Sequence, residues 1–392
     1  MPAGHSVEPR PTVSFSCLPR LVEHQAKRNP DAPAILAPGR APLSFGCLFQ
    51  HIDQMGRTLR AMGIGRRQRM AVVLPNGPEM AVAVLSVAAS AMCAPVNSAY
   101  GAEELDRYFA DLRPHALLTA AEFDSPARRV ALSRGIRVVE LLSGFDTEAG
   151  LFTLTGDHGD ASPREPDSPS DVALLLLTSG TTSRAKIVPL THANLCASAH
   201  SSGVALALKE TDRSLNVLPL FHGHGLIATV LASLAAGASV VCTPGCDVNS
   251  FFEWLTVFRP TWYSAVPTMH QAILAQARHH REQAPCYRLR FVRSASAPLP
   301  PRIHGAGADF RGPADRVLRH DRNRFRTDRV QSAAAAPAQA GFGRLASEFG
   351  GRDHRRKWSF AVPRSDGAGH RSWRERHARL RRLDGKQSCL CR

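Results

Sequence analysis

The chain has 392 residues, which is enough for two or three domains with substantial cores and too many for a small disulfide-stapled scaffold. Its net charge is +16 at neutral pH, but residues 1–301 carry only +3 of this and residues 302–392 carry +13. Nearly all of the excess positive charge therefore lies in the last quarter of the chain, and nucleic-acid binding is not expected except non-specifically through that tail.

The sequence shows no sign of secretion or membrane insertion. Nine cysteines, mostly isolated, form no four-ligand metal pattern, which favours reduced thiols and a cytoplasmic location. Residues 1–20 lack the apolar segment of a secretory signal. The most apolar stretch, Met80 to Val96, contains Pro95 and is shorter than the ~20 residues of a spanning helix. It predicts a buried helix followed by a strand.

Apolar periodicity predicts alternating helices and strands through residue 301. An early helix has apolar residues spaced by three and four from Leu48 to Met62, and Gly63 ends it. The predicted strands are Met70–Leu74, Cys93–Asn97, His115–Thr119, Ile136–Glu140, Val172–Leu177, Ser214–Leu220, Ala238–Thr243, Thr261–Val266 and Leu289–Arg293. The predicted helices between them include Pro78–Ala91, Thr191–Val204, Gly225–Ala236 and Pro267–Ala277.

This alternation is typical of an α/β fold with a largely parallel sheet, whose ligands bind at the carboxyl ends of the strands. We predict one α/β subdomain over residues 1–170, a second over 171–301, and a separate tail over 302–392. In the tail, Leu, Ile, Val and Phe together supply only 14 of 91 residues, whereas arginine supplies 20. Such a composition predicts disorder and non-specific attraction to phosphate.

A loop of small hydroxyl residues follows the predicted strand Val172–Leu177. It reads Thr178-Ser-Gly-Thr-Thr-Ser-Arg-Ala-Lys186, and a helix with Thr191 as its N-cap comes next. Backbone N–H groups and hydroxyls in such a loop can surround phosphate oxygens, with Lys186 as the countercharge. Its glycine and lysine spacing differs from that of a Walker loop. Judged by its residues alone, an ordinary Ser/Thr-rich turn is an equal alternative.

The loop resembles the phosphate loop of the acyl-adenylate-forming superfamily, the AMP-binding acyl-CoA synthetases. The family pattern, Thr-Ser-Gly-Thr-Thr-Gly-x-Pro-Lys-Gly, departs from this chain at Ser183, Ala185 and Ile187. Further family-like segments follow in the family's order: Val217-Leu-Pro-Leu-Phe-His-Gly-His-Gly-Leu226, Trp262-Tyr-Ser-Ala-Val-Pro-Thr-Met269 and Arg293-Ser-Ala-Ser-Ala-Pro-Leu299. Together these segments most resemble the oxalate-CoA ligases.

The resemblance implies an ATP-dependent carboxylate-CoA ligase that uses ATP, Mg²⁺ and coenzyme A, with oxalate as the first candidate substrate. It also implies the N-terminal domain of such enzymes, in which layered, largely parallel sheets are flanked by helices. Residues 171–301 would then carry the phosphate loop and the acyl pocket. The resemblance covers about Leu21 to Pro301.

Candidate site residues also follow from the resemblance. Lys186 and His222 are the catalytic candidates, and His222, His224 and Val266 are the substrate-binding candidates. The nucleotide-binding candidates are Thr178, Ser179, Gly180, Thr181, Thr182, Ser183, Lys186, Ser296, Ala297 and Pro298, and Thr181 is also the candidate magnesium contact. The residues alone favour histidines that only begin a helix and bind no ligand, and they allow core packing of the Trp262 segment as readily as a substrate role.

After Pro301 the family's Tyr-Gly-Met-Thr-Glu and Thr-Gly-Asp motifs and its lysine-bearing C-terminal domain do not occur. We hypothesise a shift of reading frame near Phe310, because codons for Leu318 to Asn323 exist that encode Tyr-Gly-Met-Thr-Glu when read one base later. The gene sequence decides this. With the tail as printed, weak activity is expected. An inactive nucleotide- or acyl-binding remnant, or nucleic-acid binding through the tail, are the alternatives.

Overall fold

The computed structural model describes residues 15–144, 147–156, 159, 167–178, 186–277, 279–280 and 288–294, and all of them belong to one compact unit. The helices are α1 (Leu18–Arg28), α2 (Phe45–Ala61), α3 (Pro78–Ala88), α4 (Ala102–Leu112), α5 (Pro126–Ser133), α6 (His192–Ala205), a π-helix (His224–Leu231) that continues into α7 (Ala232–Ala235), α8 (Val248–Phe258) and α9 (Pro267–Ala277).

The strands form two sheets. They are β1 (Pro33–Leu36), β2 (Leu43–Ser44), β3 (Arg69–Val73), β4 (Met92–Pro95), β5 (Ala116–Ala120), β6 (Arg137–Leu142), β7 (Thr153–Thr155), β8 (Val172–Thr178), β9 (Lys186–Thr191), β10 (Arg213–Asn216), β11 (Ser239–Cys242), β12 (Trp262–Ala265) and β13 (Phe291–Ser294). The predicted α/β class is confirmed.

The seven-stranded sheet has the order β7-β6-β5-β3-β4-β8-β9. Its five inner strands are parallel, and β7 and β9 run antiparallel at the two edges. The six-stranded sheet has the order β13-β12-β10-β11-β1-β2, and only β2 is antiparallel to its neighbour. Parallel strands are joined by helices that cover both faces, so these strands are buried on both sides.

Three apolar clusters divide the described residues into layers. The largest lies between the two sheets, where α2 and α3 pack on Met70 and Val72 of β3. The opposite face of β3, with Ala71 and Val73, packs against α4 and α5. Helices α8 and α9 cover the outer face of the six-stranded sheet. The period-two alternation along β3 thus puts one strand in two cores.

Each sheet contains strands from both sides of residue 170. β1 pairs with β11, so an early segment completes the six-stranded sheet. β8 pairs with β4, so a later segment completes the seven-stranded one. The predicted subdomain boundary at residue 170 stays a prediction about folding units. Hydrogen bonding between strands crosses it twice.

Two element predictions need correction. No strand was predicted between Lys186 and the helix, but this segment forms the edge strand β9, which hydrogen-bonds to β8. The strand predicted over Ser214–Leu220 ends at Asn216, because the next residues leave the sheet in a turn. The predicted N-cap is confirmed: the Thr191 hydroxyl accepts a bond from Asn194 N at 3.2 Å.

Candidate functional site

The predicted phosphate loop joins two strands of an antiparallel hairpin. β8 is buried over Ala173–Leu176 beside β4, and its last residue, Thr178, pairs with Lys186 at the start of β9. Lys186 is exposed, and its backbone is held in the edge of the sheet. The hairpin therefore fixes both ends of the loop, and Lys186, with its ammonium group, follows the loop directly.

Most predicted nucleotide contacts lie outside the described residues. These are Ser179, Gly180, Thr181, Thr182 and Ser183 in the loop, and Ser296, Ala297 and Pro298 after β13. Thr178 and Lys186 are placed by their strand pairing alone. The nucleotide and magnesium roles of the whole set remain predictions.

The predicted acyl segment leaves β10 and leads into the π-helix. His222 is exposed beside the Phe221 ring, with ring centroids 4.4 Å apart, and the protein around it lowers the pKa of its imidazole. His224 begins the π-helix and is partly buried. Burial, and then the charge of Arg293, lower the pKa of His224 to about 3, so its ring is neutral at pH 7.

A hydrogen-bond network fixes the tautomer of His224. Its Nε2 lies 2.9 Å from the Ser264 hydroxyl, and that hydroxyl donates to the carbonyl oxygen of Arg293 at 3.2 Å. Because the hydroxyl proton is committed to the carbonyl, Nε2 of His224 must carry the proton in this contact. Nδ1 of His224 is thereby left as a hydrogen-bond acceptor.

His270 completes the network from α9. Its Nε2 lies 3.1 Å from the same Arg293 carbonyl, and its Nδ1 lies 3.2 Å from the Tyr263 hydroxyl. A carbonyl can only accept, so Nε2 donates and Nδ1 accepts from the tyrosine. Burial lowers the pKa of His270. Two neutral histidines therefore hold the end of β13 in place.

The guanidinium of Arg293 is largely removed from solvent and has no acidic partner among the residues that the structure describes. Its guanidinium makes one long bond, 3.5 Å from Nη1 to the Ala228 carbonyl of the π-helix, and burial lowers its pKa. No carboxylate of the described residues lies within ion-pairing distance. A buried arginine normally pairs with an anion, because the unpaired charge is costly. Arg293 is therefore suited to bind an anionic ligand.

Arg293 belongs to a polar row across the sheet. Asn216 of β10 is in register with Ser264 of β12, which is in register with Arg293 of β13, and residues in register point to the same face. Asn216 is 1% exposed, and its Nδ2 has no hydrogen-bond partner among the described residues. The row lies near the carboxyl ends of its strands, where ligands bind in parallel sheets.

A family model described as "AMP-binding enzyme" matches residues 22–313. The chain belongs to the AMP-binding enzyme family. Among the relatives of this AMP-binding chain are the oxalate-CoA ligase of Arabidopsis thaliana and the sulfoacetate-CoA ligase of Cupriavidus necator. They are 38% and 34% identical to it and align with 72% and 74% of it.

The AMP-binding chain spans about half the length of these relatives, 56% of the oxalate-CoA ligase and 57% of the sulfoacetate-CoA ligase. Among solved structures, ATP-bound MatB from Rhodopseudomonas palustris matches with a TM-score of 0.61 and 24% identity. The match covers 75% of this chain and 57% of MatB. It shows that the fold is shared.

The described part of the chain contains neither a membrane-spanning helix nor a metal-ligand cluster. No helix there is both long and apolar enough to cross a membrane. Over the same residues, no three His, Cys, Asp or Glu side chains cluster as metal ligands would.

Sequence reasoning found some of this site and missed the rest. The structure brings the predicted His224 together with Ser264 and Arg293, and it places Val266, half-buried, just after β12. The roles of Arg293, Ser264 and Asn216 were not foreseen. Their sequence signal was one polar residue near the end of each of three apolar strands, which becomes informative only once the strand order is known.

Proposed function

We propose that this chain is the larger part of an ATP-dependent carboxylate-CoA ligase whose acid substrate is short and doubly anionic, with oxalate as the first candidate. One carboxylate oxygen attacks the α-phosphorus of ATP, which gives an acyl-adenylate and releases pyrophosphate. The coenzyme A thiolate then attacks the acyl carbon and releases AMP.

The proposed substrate class rests on the guanidinium of Arg293, which has no carboxylate partner within the described part of the chain. A long-chain acid would bring alkyl groups against this charge, and the cost of its burial would stay uncompensated. A second anionic group on a short acid would instead form a charge-assisted pair with it. The neutral His224 beside Arg293 adds no charge that would compete with the substrate for the guanidinium.

The names of two relatives agree with this choice. Oxalate and sulfoacetate are both two-carbon acids that carry two negative charges at neutral pH, and the relatives named for them are 38% and 34% identical to this chain. On this proposal Arg293 binds the group that does not react. The reacting carboxylate lies toward His222 and the nucleotide.

The remaining roles follow the family resemblance. Lys186 supplies positive charge to the triphosphate from the end of the hairpin, and the hydroxyl loop from Thr178 to Ser183 supplies donors. Bound Mg²⁺ would neutralise phosphate charge, with Thr181 as the candidate contact. Charge stabilisation of this kind is usually the largest single contribution to catalysis.

The test combines binding with exchange. Calorimetry on the full chain should detect ATP and, in its presence, oxalate, with much weaker binding of decanoate. Pyrophosphate exchange should depend on oxalate. Arg293→Gln should weaken oxalate binding by about 2–5 kcal/mol, the usual cost of removing one partner of a buried charge pair, and leave ATP binding unchanged.

Arg290→Gln is the matched control. Arg290 directly precedes β13, at the end of the strand opposite to Arg293. It pairs with the buried Asp212 at 2.7 Å, so its substitution lowers stability without changing the residues around Arg293. Equal losses of oxalate affinity in both variants would contradict the role of Arg293. A preference for decanoate over oxalate would overturn the substrate class.

A binding protein without turnover is the second candidate. It is supported by residues 302–392, in which the family's Tyr-Gly-Met-Thr-Glu and Thr-Gly-Asp motifs do not occur. The same experiment distinguishes the two: ATP and oxalate binding without pyrophosphate exchange supports the remnant, and exchange supports the ligase. If Lys186→Ala changes nothing and no nucleotide binds, both candidates fail.

A further inference from the structure

Asn76 stands where the seven-stranded sheet meets the acyl segment of the other sheet. It follows β3 and precedes α3, in the sequence Leu74-Pro-Asn-Gly-Pro78. Gly77, the N-cap of α3, has a φ of 153°, a conformation that side-chain-bearing residues rarely adopt. The turn therefore depends on glycine, and it directs the asparagine away from its own sheet.

All three hydrogen bonds of the Asn76 side chain cross to the six-stranded sheet. Nδ2 donates to the Thr243 carbonyl at 2.9 Å, just after β11, and to the Leu218 carbonyl at 3.5 Å, just after β10. Oδ1 accepts from the Leu220 N–H at 2.9 Å. One side chain thus satisfies backbone groups on both sides of Pro219 and ties them to the neighbouring strand end.

The bound segment determines where the two histidines lie. The Pro219 carbonyl accepts a bond from His222 N at 3.3 Å, and the His222 carbonyl accepts one from Leu226 N at 3.0 Å. Each fixed backbone group sets the next. The position of His224 over Ser264 therefore depends, through this short chain of contacts, on the turn that Asn76 holds.

Only an amide fits this position. Two carbonyls require two donors and one N–H requires an acceptor, and asparagine is the smallest side chain that offers two N–H donors together with an acceptor oxygen. An aspartate would place a carboxylate oxygen against two carbonyl oxygens. An alanine would leave three backbone groups without these partners, and partly buried backbone groups rarely go unpaired.

We propose that Asn76 is a positioning residue that locks the Leu218–Leu220 turn, and with it His222 and His224, in register with Arg293. It couples the sheet that carries the phosphate loop to the sheet that carries the acid pocket. The functional consequence rests on the proposed ligase activity. The positional claim itself does not, because it concerns backbone order and the imidazole environments in the free chain.

The test compares the full chain with Asn76→Ala and Asn76→Asp. Hydrogen exchange followed by mass spectrometry should show exchange of the 217–226 peptide faster by roughly tenfold or more, as the loss of about one net hydrogen bond predicts. Imidazole ¹⁵N spectra, assigned with His222→Gln and His224→Gln, should show shifts of both signals. Aspartate should perturb both readouts at least as much as alanine.

Gln25→Ala is the control for ordinary destabilisation. Gln25 is 4% exposed, and its Nε2 donates to the Ala235 carbonyl at 2.8 Å, so it also joins distant elements but does not contact the turn. It should lower stability and leave the 217–226 exchange and both histidine signals unchanged.

Unchanged exchange at 217–226 in Asn76→Ala, or unchanged histidine signals, overturns the proposal. Equal effects in Gln25→Ala overturn it too, because they would reflect general loosening. Oxalate titration separates the two claims: if the unaltered chain binds no oxalate, the ligase proposal fails while exchange and spectra still decide the role of Asn76. If it binds, Asn76→Ala should weaken oxalate roughly tenfold, and unchanged affinity contradicts positioning.

Discussion

His51 is a core residue whose burial makes the fold sensitive to acid. It is 7% exposed, its Nε2 has no hydrogen-bond partner within the part of the chain that the structure describes, and its ring packs edge to face on Phe152 with ring centroids 4.7 Å apart. Burial lowers its pKa to about 4. Since the unfolded chain binds a proton near pH 6.5 and the folded chain does not, stability falls as pH drops from about 6.5 toward 4.

We predict that His51→Leu removes part of this acid sensitivity. At pH 5 the unmodified chain should have lost about 2 kcal/mol of its free energy of unfolding through His51 alone, and the variant should retain it. Denaturant unfolding at pH 8 and pH 5 measures both values. At pH 8 the imidazole of His51 is neutral in both the folded and the unfolded chain. The difference in free energy of unfolding between the variant and the unaltered chain at pH 8 therefore reports packing only. Parallel losses in both proteins would contradict the prediction.

For single residues, the sequence could identify candidate site residues better than it could predict their contacts. His224 was identified from a motif, and the structure adds the Ser264 contact that fixes its tautomer. Arg293 was noted only as the first residue of a turn motif. Its burial could not be predicted, because it depends on the strand pairing of β13 and on contact with the π-helix. Such long-range contacts leave no local pattern.

The π-helix carries two groups of the candidate site: it begins at His224, and its Ala228 carbonyl accepts a hydrogen bond from Arg293. An added Cβ on Gly225, within it, would lie 2.5 Å from the Pro219 carbonyl oxygen and 3.1 Å from Leu218 Cβ. That close approach lets the helix begin directly over the turn. π-helical turns are frequent at functional sites.

Gly225→Ala should therefore disturb both the stability of the fold and the position of the neighbouring His224 beside Ser264. Backbone must move to accept the methyl group, so we expect a loss of about 1–3 kcal/mol in the free energy of unfolding. Gly203→Ala in α6 is the matched control, since its nearest contact would be 3.8 Å away and alanine favours a helix. Thermal unfolding measures both, and an equally stable Gly225→Ala would refute the argument.

Helices and strands with strong local patterns were predictable. The apolar positions of α2, its end at Gly63 and the cap at Thr191 all agree with the structure. β9 was missed because its exposed and half-buried residues, including Pro189, lack the pattern of a buried strand. Its strand geometry comes from pairing with β8, which is a tertiary effect.

For the whole molecule, the uneven charge gives a separate prediction. Residues 302–392 carry a net +13 and should bind RNA without sequence preference. If six or more phosphates are neutralised, affinity should fall by about three orders of magnitude or more between 50 and 200 mM salt. Filter binding by the full chain and by residues 1–301 measures this. If residues 1–301 bind RNA as tightly as the full chain, the RNA-binding site does not lie in residues 302–392.

The pairing of β1 with β11 constrains how this protein can be made. Ile35 lies beside Val240, so the early strand has no parallel neighbour until the ribosome has synthesised the chain beyond that point. β3, β4 and β5 can pair long before then. During translation the first strand can pair early with β2, but its parallel pairing must await the synthesis of β11.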